Sequence, residues 1–296
     1  MAADPEAGAG GGPTVLRMLL GAQLRRLREA GGITREDAGW HIRASESKIS
    51  RMELGRVGFK ERDVADLLTF YGVTDTAERE SMMALARQAN EPGWWQQYGD
   101  VYPAWFQSYL GLESAAQIIR MYEVQFVPGL LQTPDYARAV IMLGHSSKPT
   151  AEVDRRVELR MTRQQILTRT RPAPPHFWAV VDEGALRRPV GGRAVMRAQI
   201  AKLLEATKLP NVTLQVIPFA HGGHAAYSGS FALLRFPEHD LPDVAYMEQL
   251  TSALYLDKRE DVERYLTVME QLCVEAAPPA QTPRILEGIA RDLDRD

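Results

Sequence analysis

Residues 33–55 read ITREDAGWHIRASESKISRMELG. Thr34 is a helix N-cap residue, and Asp37 three positions on completes a variant of the capping box. Ala38 and Ile42, at helical spacing, give the short helix that follows its inner face. Ser45 opens a second helix in the same way, with Ile49 and Met52 facing inward and Gly55 as the stop. Two short helices joined by a tight turn make a helix-turn-helix, whose second helix enters the major groove and reaches base edges with its N-terminal residues. The exposed face of this helix offers Glu46, Ser47, Lys48 and Arg51. Lysine and arginine suit guanine or phosphate, while serine and glutamate suit other base edges. Thr34 and Ser45, with the amide ends of both helices, suit phosphate oxygens, and Arg43 and Arg56 complete the DNA-binding candidates.

The segments on either side extend this into a helical domain over 14–90. Leu16, Leu20, Leu24 and Leu27 form one stripe on a helix over 15–29, ended by Gly31-Gly32. Residues 60–71 and 75–90 read as two more helices, through Val64, Leu67, Leu68 and Tyr71 and then Met82, Met83, Leu85 and Ala86. From Thr14 to Lys60 there are ten lysines or arginines and five acids, a net +5. The whole chain carries −3, so the other 249 residues carry −8. A small basic module on an acidic body suits docking to phosphates, as it also suits a solvated helix face.

The rest of the composition bounds the class. The chain has 296 residues, long enough for two domains, and is 45% hydrophobic. No apolar run reaches bilayer length, and residues 1–13 read as an acidic, Gly/Ala-rich disordered tail rather than a signal peptide. A single cysteine, Cys273, excludes an intrachain disulfide and fits a reducing cytoplasm, where it reads as a packing residue. The expected location is therefore cytoplasmic, on the nucleoid when bound to DNA.

The N-terminal segment resembles the Cro/C1-type (Xre-like) DNA-binding family. The carrying residues are Leu24-Arg25-Arg26-Leu27-Arg28-Glu29, Ile33-Thr34, Ser45 and Ile49-Ser50-Arg51-Met52-Glu53-Leu54-Gly55. The resemblance implies a five-helix, lambda-repressor-like fold and a structural pair, Arg28 with Glu53. Two positions depart from the family pattern. The usual Leu-Ala pair is Ala38-Gly39, and the usual turn glycine is Arg43, where a left-handed backbone costs a side chain something.

Residues 91–110 read as an aromatic-rich linker. Trp94, Trp95, Tyr98, Tyr102 and Trp105 suit either a partner- or ligand-binding surface or a packed hinge. Residues 111–277 then mix helices and strands. Helices are expected from Thr133-Pro134 to about Leu143, over 150–169, from Gly191-Gly192 to about Thr207, and over 258–276. Strands are expected at 177–181, 212–217, 230–236, 244–247 and 254–256, giving an α+β domain with a mixed or antiparallel sheet. Pro278-Pro279 sets off a last helix over 278–296.

This part resembles a C-terminal domain of unknown function common in actinobacterial regulators. The blocks that carry the resemblance are Val127 through Arg138, Arg160 through Gln164, Val181 through Gly192, Val195 through Gln199, Val216 through Phe219 and Gly229 through Phe231. The resemblance implies regulators of development and antibiotic production, often encoded beside small companion proteins. Read on their own chemistry, Asp182 and Glu183 at a strand end suit acid/base work, or helix capping and pairing with Arg187, Arg188 or Arg197. His221 and His224 in a glycine loop fall short of a metal set, and no metal or cofactor is expected. Tyr227 lies in the same loop, a candidate lid or phosphate cradle. Arg188, Ser228 or Ser230, and Glu248 follow the Arg-Ser-Glu order of ADP-ribosyltransferases, a nucleotide-binding enzyme alternative to a non-enzymatic domain. A further alternative is an interaction module that has lost DNA. The expectation is a DNA-binding regulator that is not an enzyme. Its partners are a double-stranded operator, a second copy in a homodimer and a possible companion protein, with no membrane.

Overall fold

The computed structural model describes residues 12–145, 148–238 and 241–295. Residues 1–11 of the expected tail lie outside the described residues, and Pro13 already begins a helix. The chain divides into two compact units. The first comprises residues through Gln97 with Gln107–Ala115 and Glu238–Leu241; the second comprises Tyr98–Phe106, Ala116–Pro237 and Pro242 onward.

The first unit holds α1 (Pro13–Ala30), α2 (Arg35–His41), α3 (Glu46–Glu53), α4 (Glu61–Phe70) and α5 (Thr76–Ala89). Leu20, Leu24, Ala38, Ile49, Met52, Val64, Leu67, Leu68 and Ala86 form one buried core. Each large side chain removed from water there contributes about 1.5–3 kcal/mol before the entropy of ordering it. Two glycines allow close backbone approach. A Cβ on Gly21 would lie 2.5 Å from the Met52 carbonyl oxygen, which lets α1 pack directly on α3. A Cβ on Gly39 would lie 2.8 Å from the Ala44 carbonyl oxygen, so the turn folds back onto α2. The departure at Ala38-Gly39 is thus a tighter packing of turn on helix.

The stretch expected as a linker is folded. Trp94–Tyr98 form a 3₁₀ turn, and α6 spans Ala104–Ala115. Trp95 and Tyr98 are buried, and Trp94, Tyr102 and Trp105 are half-buried.

The second unit is an α+β fold on a six-stranded mixed sheet in the order β3-β2-β1-β4-β5-β6. The strands are β1 (Ile118–Glu123), β2 (His176–Asp182), β3 (Val212–Ile217), β4 (Phe231–Arg235), β5 (Val244–Glu248) and β6 (Ala253–Leu256). β1, β2 and β3 run parallel, while β4 is antiparallel to β1, β5 to β4 and β6 to β5. Five strands match expectation. The sixth, β1, lies inside the sheet and was not expected, because Arg120 and Glu123 break the apolar run of IIRMYE.

The helices are α7 (Pro134–His145), α8 (Thr150–Gln164), α9 (Glu183–Arg187), α10 (Arg193–Ala206), α11 (Arg259–Glu275) and α12 (Thr282–Arg295). Tyr122, Val180, Phe231, Leu233 and Met247 share a core with Met269 and Leu272 of α11. α12 packs on α10 and β3, and Leu286 and Ile289 are buried, so the last helix is an integral part of this unit.

A polar network fixes residues 127–133. Gln199 accepts from the Thr133 amide at 2.7 Å and donates to the Leu131 carbonyl at 2.7 Å. Gln132 donates to the Val127 carbonyl and accepts from Arg160, each at 2.8 Å. Gln164 donates to the carbonyls of Gly129 and Gln132, and Lys202 joins the Gln132 carbonyl and the Gln164 amide oxygen. Burial pulls the Lys202 ammonium below its ordinary range. A loop turned inward must satisfy its backbone groups, and these side chains do so.

Candidate nucleic-acid interface

The turn between α2 and α3 is built by its caps. Thr34 Oγ accepts from the Asp37 amide at 3.0 Å and donates to the Asp37 carboxylate at 2.6 Å. Ser45 Oγ accepts from the Lys48 amide at 3.2 Å. Arg43 holds the turn with φ 54°, the one positive φ outside glycine among the described residues. The backbone keeps the left-handed geometry usual for glycine there, with an arginine side chain carried on it.

Buried ion pairs orient α3. Glu53, at its end, is 5% exposed, and Arg28 of α1 is 7% exposed. Arg28 donates through Nε and, at 3.1 Å, Nη2 to the two carboxylate oxygens of Glu53, and through Nη1 to the Ile33 carbonyl at 2.8 Å. Arg35 adds a third bond to Glu53 at 2.9 Å. The hydrogen bonds to Glu53 hold the Arg28 guanidinium above its ordinary range against the opposing effect of burial.

Lys48 stands apart from the other candidates on α3. Its Nζ lies 2.6 Å from Asp63 of α4, a carboxylate only 2% exposed. Arg43, Ser45, Glu46, Ser47, Arg51 and Arg56 are exposed, and Arg51 Nε reaches back to the Ser47 carbonyl at 3.3 Å. The solvent face of α3 thus combines polar side chains at its N-terminus with Arg51, and Arg43 and Arg56 flank the helix in the chain. That composition fits a helix laid in a major groove.

Elsewhere several candidates are engaged in packing. Trp94 Nε1 donates to Ser114 Oγ at 3.2 Å. Tyr98 donates to Glu158 at 3.0 Å, and Arg155 lies over its ring at 5.8 Å. Tyr102 and Trp105 meet Phe106 edge-on, and the Trp105 carbonyl accepts from Tyr255. Of the two readings the sequence allows for this stretch, the packed one describes these rings, each of which has an aromatic or cationic neighbour within its own unit.

Asp182 caps α9 by accepting from the Gly184 amide at 2.7 Å. Glu183 pairs with Arg187 at 2.6 Å and accepts from the Phe219 amide at 2.7 Å. These two acids make the capping and pairing contacts that the sequence allows. His224 Nε2 is 2.9 Å from the Tyr122 hydroxyl, whereas His221 sits 3.7 Å from Glu275, so the two histidines serve different neighbours. Burial, with Asp182 and Glu123 nearby, raises the Tyr122 hydroxyl. Tyr227 is 95% exposed.

Arg188 and Ser230 meet on one residue, Val124: Arg188 Nη1 is 3.5 Å from its carbonyl oxygen, and Ser230 Oγ accepts from its amide at 3.3 Å. Glu248, exposed at the end of β5, accepts from Tyr246 at 3.1 Å. The residue sequence reasoning missed is Glu123, whose carboxyl burial pushes up to about 7 against its hydrogen bond from Ser230. Only the unrecognised strand would have marked it, as a carboxylate on the last residue of a buried strand.

The geometry defines a helix-turn-helix protein of the DNA-binding regulator class. Residues 19–82 match a family model described as a helix-turn-helix domain. Residues 106–288, more than half of the chain, match the model described as a domain of unknown function, DUF5753, and the chain belongs to that family. No curated protein and no solved structure matches the chain. Among the described residues, no helix is long and apolar enough to cross a membrane.

Proposed function

We propose that this protein is a sequence-specific transcription regulator of the Xre type. It acts in the cytoplasm as a homodimer on a double-stranded operator, and its C-terminal domain binds a partner protein or small ligand without catalysing a reaction. The exposed strip of α3 carries this reading: Ser47, Glu46 and Arg51 are free of the core and flanked by Arg43 and Arg56. Arg51, with Ser47 and Glu46, reads base edges. Thr34, Ser45, Arg43 and Arg56 face the phosphates. Lys48, tied to Asp63, holds α3 against α4. Dimerisation follows from the logic of two half-sites spaced about 34 Å apart, which multiplies affinity. On the same reading the gene belongs to an actinobacterium and lies beside one for a small companion protein.

The test is a gel-shift series on the promoter fragment of the protein's own gene. Arg51→Ala is expected to weaken specific binding by about 1–3 kcal/mol and to relax the sequence preference. Wild-type affinity should fall steeply as salt rises. An affinity that ignores both salt and Arg51 would turn the helical unit into a protein-interaction module.

A further inference from the structure

The topology of the second unit collects strand ends at one edge of the sheet. The ends of β1, β2, β3 and β5 and the starts of β4 and β6 all lie there. Tyr122 pairs with Phe231 and Ala232 with Tyr246. Continued outward, the same register sets Glu123 opposite Ser230 and Ser230 opposite Glu248. Residues directly opposite in a sheet project from the same face. The two glutamates, on β1 and β5, therefore flank a serine one residue before β4, with their backbones about 10 Å apart at the usual strand spacing. The serine hydroxyl bonds to Glu123 and accepts from the Val124 amide, and it keeps one acceptor position toward the row. The next residues inward, Tyr122, Phe231 and Met247, face the core shared with α11. The row therefore lies on the opposite face of the sheet.

Cations stand beside it. Arg188 is exposed, with Nη1 3.5 Å from the Val124 carbonyl oxygen, one residue beyond Glu123. We propose that Glu123, Ser230 and Glu248, with Arg188 beside them, bind a small zwitterion of the amino-acid class. Its primary ammonium sits on the serine between the two carboxylates, and its anionic group sits on the Arg188 guanidinium. An ammonium has three donors, and the row supplies three acceptors. A bare divalent cation would lack a partner for Arg188.

Proton linkage sharpens the proposal. The groups that act on Glu123 are Ser230 just before β4, Glu248 of β5 and Arg160 of α8, and Glu123 and Arg188 in turn act on the Tyr136 hydroxyl of α7. Burial and Glu248 favour the protonated carboxyl, and Ser230 and Arg160 the ionised one. Without ligand, Glu123 titrates near pH 7. An ammonium needs it ionised, so binding releases a proton. Affinity should then rise about tenfold from pH 6 to pH 8 as the competent fraction grows.

The inference deepens the ligand-binding part of the proposed function and is independent of the DNA contacts. The full chain is screened by thermal shift against each of the twenty L-amino acids, their N-acetyl counterparts, CaCl₂ and MgCl₂. At least one amino acid is expected to stabilise the wild type, and its N-acetyl form is not. Affinity by calorimetry should fall at least tenfold in Glu248→Gln and Arg188→Ala, and Glu123→Gln should lose both affinity and its pH dependence. Glu248 and Arg188 are exposed, so their variants keep the test decisive should Glu123→Gln not fold. A screen with no stabilising amino acid, equal binding of the N-acetyl form, a response to calcium or magnesium alone, or unchanged affinity in Glu248→Gln and Arg188→Ala overturns the proposal. The gel shift without amino acid reports separately on DNA binding, so the two readings fail distinguishably.

Discussion

The two units of this chain bury polar groups in different ways. In the helical unit the buried groups are ions, paired between helices: Arg28 with Glu53, and Lys48 with Asp63. In the sheet unit they are mainly amides, with Gln132, Gln164 and Gln199 held to backbone carbonyls and amides of one loop. An ion pair between helices fixes the direction of a helix axis, and α3 must present a defined face. An amide hook fixes the path of a loop. Glu123 breaks the second pattern, as a carboxyl whose burial outweighs the pull of Arg160.

The largest effect is expected from breaking one of the ion pairs. Glu53→Ala leaves Arg28 buried without its two carboxylate bonds, with only the exposed Glu29 carboxylate 3.4 Å from Nη2, which costs about 3–5 kcal/mol. Chemical denaturation of the full chain should show this as an early loss of the helical unit. A double change, Arg28→Met with Glu53→Leu, should recover much of the loss. If Glu53→Ala alone is near neutral, the pair does not fix α3. Breaking an amide hook should cost less. Gln199→Leu leaves the Thr133 amide and the Leu131 carbonyl without partners, for about 1–3 kcal/mol. Hydrogen exchange should then show faster opening of residues 127–133, with the helical unit unchanged.

How much of each unit was legible follows the same contrast. The helical unit declares itself locally: Thr34 and Ser45 each cap the helix that follows, and the inner residues repeat at helical spacing. Helices α1 to α5 were readable, whereas α6, most of which belongs to the same unit, lay in the stretch read as a linker. The second unit is assembled from pairings distant in sequence. Five strands carry enough apolar residues to be seen, but β1 joins β2 and β4 through partners more than fifty residues away. Its Arg120 and Glu123 hide the apolar run, and with the strand went the row Glu123, Ser230 and Glu248. The aromatic stretch stayed open between two readings for another reason: composition alone does not distinguish a ring that faces solvent from one with a packed neighbour. Lys48 likewise reads as a free base-contacting cation until Asp63 is placed beside it.

Glu123 offers a test that depends on pH. Its folded value lies near 7, above the ordinary carboxyl value of 4.5. The folded state therefore holds a proton that the unfolded state has lost between those values. This contribution to stability is complete below about pH 4.5 and is lost as pH rises through about 7. Glu123→Gln mimics the protonated carboxyl. The variant should match the wild type at pH 4.5 and exceed it at pH 8 by about 3 kcal/mol. Denaturant midpoints that stay parallel across that range would show that Glu123 ionises normally.

The smallest expected effect separates backbone from side chain at the turn. Arg43 holds φ 54°, where a Cβ is disfavoured by about 1–2 kcal/mol and glycine is not. Arg43→Gly should relieve part of this, partly offset by the greater freedom glycine gives the unfolded chain, for a net gain of about 0.5–1 kcal/mol. The same change deletes an exposed guanidinium beside the N-terminus of α3. If Arg43 faces a phosphate, the variant should melt higher yet bind DNA more weakly on every sequence, with a salt dependence shallower by about one counterion. A gain in stability with DNA affinity untouched would leave Arg43 as a residue the turn merely tolerates. It would also confine the phosphate contacts to Thr34, Ser45 and Arg56.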